Sequence, residues 1–301
     1  MTSGAPSVVV RAKNEQKRIE HALIGLREQT VETEIILVDS GSTDHTIEIA
    51  RAYCDKILTI AAQEFSYGRA LNMGARHASG DVVFALSAHC VPPGPRWVEW
   101  SLAAYTDDDV VATIGATNDP SGVALSGPTR FRLPLPALKA NPTWGFSNHA
   151  SSWRRLTWES FPFDEGLVAC EDKEWMWRVL AAGFSMMADP RLVVGAQHRR
   201  ERGARALYHR VHREHLVLAE LLDYQRVTGA QMVRKWWTEF PYPGAHSPWL
   251  RRLSPWRCAE LLGELTGDWA GARRRGAHTL STSSWEGGPG IGPLTSRPAD
   301  E

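Results

Sequence analysis

The groups in this chain whose types and spacing can do chemistry are carboxylates and imidazoles set at the ends of regular elements. The apolar run Glu34-Ile-Ile-Leu-Val38 delivers a carboxylate at Asp39, and the turn Ser40-Gly-Ser-Thr-Asp44 leads on into a helix through Ala50. A strand that ends in Asp and turns through Gly into a helix leaves backbone N–H groups at its mouth, which suits a nucleotide or its phosphates. An ordinary polar strand-to-helix loop has the same composition, and this stretch alone leaves both readings open. Glu171 and Asp172 adjoin in Cys170-Glu-Asp-Lys-Glu-Trp175, the pattern of a helix with acids in its first turn. Taken alone they read as an arrangement favoured by the helix dipole. Two neighbouring carboxylates partly shielded from water can also hold a proton near neutrality and act as a base. His89 follows a second apolar run, in Ser87-Ala-His-Cys-Val-Pro92.

The elements that must position these groups follow from hydrophobic pattern. Ser7-Val-Val-Val-Arg11 predicts a buried first strand. The turn after it is Ala12-Lys-Asn-Glu15, without the glycines of a dinucleotide fold or a Walker loop, which argues against both. Strands are predicted at 34–38, 56–60, 81–87 and 110–115, with the fourth, Asp81–Ser87, central. Helices carry Ile19, Leu23 and Leu26, then Ile47 and Ala50, then the stretch from Phe65 to His77 and one from about Arg96. Strands alternating with helices predict an α/β layer with a largely parallel sheet, whose ligands sit at the carboxyl ends of its strands, where Asp39 and His89 lie. From Asn118 to Trp144 the chain reads as loop, and from Arg202 to Gln225 as a long helix.

The chain has 301 residues, 34 basic against 34 acidic, with 43% hydrophobic and 23% charged content. That is the composition of a globular protein with no global field toward nucleic acid or acidic partners. No charged segment followed by an apolar one opens the chain, so no signal peptide is expected, and no apolar run reaches the roughly 20 residues that cross a bilayer. The four cysteines, Cys54, Cys90, Cys170 and Cys258, form no Cys-x-x-Cys pair and read as reduced thiols, with a cytoplasmic location as the expectation. A zinc site built from His89, Cys90, Cys170 and His198 matches no structural zinc spacing.

Together the motifs form an ordered set. Asn14-Glu15 ends the first strand, and Val38-Asp-Ser-Gly-Ser-Thr-Asp-His-Thr46 ends the second. Ala70-Leu-Asn-Met-Gly74 and Gly80-Asp-Val-Val-Phe-Ala-Leu-Ser-Ala-His89 follow, then Phe163-Asp-Glu165 and Glu171-Asp-Lys-Glu-Trp175. In this order they strongly resemble the family 2 glycosyltransferases with the GT-A fold, over roughly residues 7 to 200, nearest the rhamnosyltransferase-like branch that builds polysaccharides or decorates natural products. The resemblance implies a Rossmann-like, mostly parallel sheet flanked by helices. It gives a catalytic domain over 1–200 (nucleotide-sugar half 7–117, acceptor half 118–200); beyond it the pattern predicts a helical region over 201–280, and Gly, Ser and Pro content a disordered tail over 281–301. It implies an inverting transferase that moves a sugar from a nucleoside diphosphate sugar to an acceptor hydroxyl.

Residue by residue, the resemblance assigns Glu15, Asp39, Arg69, Ser87 and Ala88 to the nucleotide, and Asp172 to the general base with Glu171 in reserve. Ser87-Ala88-His89 stands where the family has Asp-x-Asp. Its implied divalent ion, Mn²⁺ or Mg²⁺, then falls to His89 and to His198, with the diphosphate oxygens. This departure opens a second reading, a family member that binds nucleoside diphosphates without transferring. Trp144, Phe146, Asn148 and His149 lie where relatives border the sugar or acceptor, although Trp and Phe there can equally fill the core. UDP is the family's default nucleotide, with GDP and dTDP as alternatives. The Trp- and Arg-rich stretch after Arg234 suits either a peripheral membrane contact, as a lipid-linked acceptor would need, or helices packed on the catalytic domain.

Overall fold

A computed structural model describes residues 4–133, 135–196, 203–222, 228–238 and 254–274. His198 and the tail 281–301 lie outside the described residues. The first strand, β1 (Ser7–Ala12), is buried along its whole length and seeds the sheet. Its β-branched residues alternate between two layers: Val9 packs with Ile36, Leu71 and Trp153 on one face, and Val8 and Val10 with Leu23, Ile35 and Phe84 on the other. Around it lie β2 (Glu34–Asp39), β3 (Lys56–Thr59) and β4 (Val82–Ser87), all parallel. Helices α1 (Ile19–Arg27), α2 (Thr46–Ala50) and α3 (Tyr67–His77) connect them.

The sheet has eight strands in the order β3-β2-β1-β4-β8-β6-β9-β7, where β6 is Val110–Gly115, β7 Thr129–Phe131, β8 Ala150–Arg154 and β9 Ser185–Asp189. Strand β8 runs antiparallel between β4 and β6, which a reading of alternating strands and helices does not foresee. Its sequence, Ala-Ser-Ser-Trp-Arg, looks too polar for a sheet centre. The Ser152 hydroxyl is paid for by a buried cluster in which it lies 2.7 Å from each of the Ser101, Tyr105 and Thr113 hydroxyls. The stretch Asn118–Trp144, expected as loop, contains β7 and a short helix α5 (Leu135–Ala140) after α4 (Trp97–Leu102). Edge strand β7 pairs with β9 and is held by Arg130, whose Nε donates to Ser185 Oγ at 2.9 Å.

A second, two-stranded sheet joins β5 (Cys90–Val91) to β10 (Gly195–Ala196), so the chain is paired beside His89 just before it leaves the described residues. Helices α6 (Arg155–Ser160) and α7 (Glu171–Ala181) precede β9. An aromatic cluster of Phe146, Trp153, Phe163 and Trp175 fills the space under α7, with ring centroids 4.9–6.5 Å apart. Trp97, Trp153, Trp175 and Trp177 are fully buried, which accounts for part of the high tryptophan content.

After β10 come α8 (Gly203–Leu221), α9 (Gly229–Thr238) and α10 (Pro255–Arg274). Leu216, Val217, Leu218 and Leu221 of α8 belong to the same apolar cluster as Val9 and Trp175, so this helix is part of the packing of the main sheet. Helix α10 lies against α8 through Gly263, Gly267 and Gly271; a Cβ on Gly267 would stand 2.5 Å from the His212 carbonyl oxygen. Among the described residues, no helix is long and apolar enough to cross a membrane, and all four cysteines are free thiols.

Candidate active site

The chain runs outward from β1 through β2 to β3 and then crosses back to place β4 on the other side of β1, so the strand order reverses between β1 and β4. A crevice therefore opens at their carboxyl ends, as in other open α/β sheets. There Arg11 and Ser87 are register partners. The crevice is one end of a cleft of about 970 Å³ walled by the β1 turn (Lys13, Asn14, Glu15), Ser87 and His89, the segment before β8, the start of α7 and one face of α8.

The turns at the cleft mouth are built by polar side chains. Asn14 takes a left-handed conformation (φ 54°), and its Oδ1 accepts from the Thr43 N–H at 2.8 Å, lacing the β1 turn to the β2 turn. The Asp39 carboxylate is fully buried and accepts from Gly41 N–H and Ser42 N–H, both at 2.9 Å, and from the Ser42 hydroxyl. Expected at the nucleotide, this carboxylate bonds within its own turn, and Ser40 beside it reaches the cleft. Glu15 is buried, with its Oε1 3.4 Å from His89 Nδ1 and its Oε2 3.5 Å from Arg18.

At the other end, the left-handed Cys170 (φ 58°) turns the chain into α7, so that Glu171 and Asp172 open the helix at the cleft. Asn148 holds both. Its backbone N–H donates to Asp172 Oδ2 at 3.0 Å, and its Nδ2 donates to Glu171 Oε1. Arg11 Nη2 in turn donates to the Asn148 carbonyl, to Asn148 Oδ1 at 3.0 Å and to Ser87 Oγ at 3.3 Å. Lys173 Nζ caps the carbonyls of Gly145 and Phe146. Gly145 has φ 108°, and a side chain there would collide with Met176 Sδ.

Burial pushes the Glu171 carboxyl up to about 7, helped by the negative charge of Asp172 and opposed by Arg11 and Asn148. Burial, joined by Asp172, also holds the Cys170 thiol well above its ordinary value, which keeps it protonated and inert.

The cleft thus gathers Glu15, Ser87, His89, Asn148, His149, Glu171 and Asp172. Besides Asp39, four other expected residues stand apart from its walls, for different reasons. Arg69 is exposed enough to reach out, but its Nε is bound to Glu165 Oε2 at 2.9 Å. Ala88 is fully buried, Phe146 is core, and Trp144 donates its Nε1–H to the Asn118 carbonyl at 2.9 Å. Asn148, expected as a sugar-wall residue, is engaged with the carboxylate pair, while His149 lies 2.6 Å from the Ser147 hydroxyl through Nδ1. Arg11, Lys173 and the α8 face of His209, Arg210 and Arg213 were not foreseen. A lone arginine closing a Val-Val-Val strand was the available signal for the first.

Among the described residues, no group of three or more His, Cys, Asp or Glu side chains is placed to hold a metal ion. What fits a metal is the carboxylate of Glu15 3.4 Å behind His89 Nδ1, an arrangement of the kind that orients an imidazole whose other nitrogen would be the ligand.

The profile of glycosyl transferase family 2 matches residues 7–156, and the chain belongs to that family. It is similar to glycosyltransferase AglE of Haloferax volcanii, 30% identical over 62% of this chain and 65% of that one. It is also similar to the O-antigen chain rhamnosyltransferase WbaN of Salmonella anatum, 26% identical over 51% of this chain and 53% of that one. The chain therefore spans less than two thirds of the length of these relatives. Among solved structures it resembles the mannosyltransferase PcManGT of Pyrobaculum calidifontis in complex with GDP-Man and Mn²⁺, with a TM-score of 0.56, 19% identity, and 88% of this chain and 71% of that one covered. The fold is GT-A.

Proposed function

We propose that this chain is an inverting glycosyltransferase that moves a sugar from a nucleoside diphosphate sugar to a hydroxyl of a natural product, a glycan or a lipid-linked sugar. One observation carries the reading: a single cleft joins the β1–β4 crevice, where a nucleotide binds in such sheets, to a buried carboxylate pair. The nucleoside diphosphate lies along Lys13, Asn14, Glu15, Ser40 and Ser87, with its sugar toward Asp172. UDP is the leading donor nucleotide, ahead of GDP and dTDP. The acceptor hydroxyl attacks the anomeric carbon from the face opposite the leaving group. As the new C–O bond forms, the bond to the diphosphate breaks, its electron pair leaves on the phosphate oxygen, and the hydroxyl proton passes to the Asp172 carboxylate.

His89 and His198 would hold the divalent ion, which would supply positive charge to the leaving diphosphate. Glu15, 3.4 Å from His89 Nδ1, would orient the ring for that contact. The exposed Trp237, Trp269 and Leu262, with Arg273 and Arg274 on α10, support contact with an anionic membrane surface that would present a lipid-linked acceptor. The free thiols favour the cytoplasmic side.

The test is NMR of the anomeric centre during turnover of a UDP-sugar, with Asp172→Asn as control. Inversion in the wild type, and loss of product by about 10²-fold or more in the variant with nucleotide binding kept, is expected. Nucleotide binding without any product in the wild type would mark a non-transferring binder instead.

A further inference from the structure

Arg11 is 8% exposed, sits at the carboxyl end of β1, and its Nε finds no hydrogen-bond partner among the described residues. Its guanidinium lies 5.5 Å over the Tyr67 ring, and all of its hydrogen bonds leave through Nη2, to Asn148 and Ser87. Every polar group of Asn148 is thereby used. Its two acceptors face one cation, and its two donors face two carboxylates. Because Oδ1 is turned to Arg11, only the NH₂ group can face Glu171; with the amide reversed, an oxygen would oppose a carboxylate.

We infer that Arg11 is a positioning residue for the carboxylate pair: acting through Asn148, it aims Glu171 and Asp172 into the cleft, and Ser87 is a serine because a carboxylate there would draw Arg11 away. The inference rests on the reading of Glu171 and Asp172 as the base pair.

The energetic argument concerns competition for one guanidinium. Ser87 Oγ holds Nη2 only by a long contact of 3.3 Å. A carboxylate at that register position would form a charge-assisted pair, roughly twice as strong as a neutral hydrogen bond. Asn148 offers only amide oxygens and would lose the cation. Its amide would then be free to rotate, and Glu171, already without a partner at Oε2, would lose its one aimed donor. The serine where the family has its first aspartate is therefore what leaves the arginine across from it to Asn148. The other charge on Glu171 is that of Asp172; the neighbouring Cys170 also feels Lys173 on α7 and Glu214 on α8, whose carbonyl accepts from Cys170 Sγ at 3.7 Å.

The experiment follows the Glu171 carboxyl directly in the full chain. Glutamate side chains are labelled with carbon-13 at the carboxyl, the Glu171 resonance is assigned by its absence in Glu171→Gln, and its titration midpoint is read by NMR. Arg11→Gln should raise the midpoint by about one pH unit, a tenfold gain in proton affinity. Arg11→Lys keeps the charge without the planar fork, and should still raise it, by less. In an Asn148→Ala background the effect of Arg11→Gln should shrink to less than half, because the two residues act as one unit. An unmoved midpoint in Arg11→Gln overturns the inference. So does an effect of full size in the Asn148→Ala background, which would mean a direct field without positioning. If Arg11→Gln does not fold, Arg11→Lys decides, and an unmoved midpoint there overturns it as well. Titration of UDP, GDP and dTDP accompanies each variant: failure of all three to bind the wild type refutes the donor pocket and leaves the Arg11 result standing.

Discussion

Glu171 is fully buried beside a second carboxylate, and that placement has a thermodynamic sign. Its folded-state value is raised from 4.5 to about 7, chiefly by burial and then by the charge of Asp172. The contribution to stability is complete below the unfolded value and is lost as pH rises through about 7. Glu171→Gln keeps an oxygen for the Asn148 donor and removes the buried charge. It should therefore stabilise the chain at pH 8 by about 1–3 kcal/mol and leave it unchanged near pH 4, measured by urea unfolding. No gain at pH 8 would mean that Glu171 is not held against its charge. The motif order made the pair legible, together with Ser87 and His89. The hydrogen bonds of Asn148 were not legible, because they depend on β8 running antiparallel beside β4. Asp39 was expected at a ligand, yet Asp-Ser-Gly-Ser also spells a self-closing turn, and that is the geometry its carboxylate adopts.

Strands β1, β2, β3, β4 and β6 were legible because β-branched or aliphatic runs bounded by turn residues have little else to become. Strands β7 and β8 were hidden, one by its three-residue length among prolines and glycines, the other by serines whose partners lie on distant elements. Helix α8 was legible as a helix but not as a cleft wall, since nothing local says which face meets the carboxylate pair. Its backing by α10 depends on close approach at three glycines. Gly267→Leu should separate the two helices, cost about 1–3 kcal/mol or more in thermal unfolding, and weaken UDP binding through the displaced α8 wall. Unchanged unfolding and binding would show that α10 contributes nothing to the cleft.

Over the whole molecule, the charge balance of 34 against 34 is nearly kept in the cleft, where Arg11, Lys13, Lys173, Arg210 and Arg213 stand with Glu15, Glu171, Asp172 and Glu214. The exposed tryptophans of α9 and α10 set the expected partner surface. The wild type should sediment with vesicles containing anionic lipid, and a Trp237→Ala, Trp269→Ala double variant should do so at least about fivefold less, with equal recovery for both contradicting the membrane contact.

The central claim is that the β1–β4 crevice holds a nucleoside diphosphate ahead of the carboxylate pair, and calorimetric titration of UDP, GDP and dTDP, each with and without Mn²⁺, tests it most directly. One of the three should bind, more tightly with Mn²⁺ in the wild type than in His89→Ala, and equally well in Asp172→Asn. Binding of none, under either condition, would contradict the account.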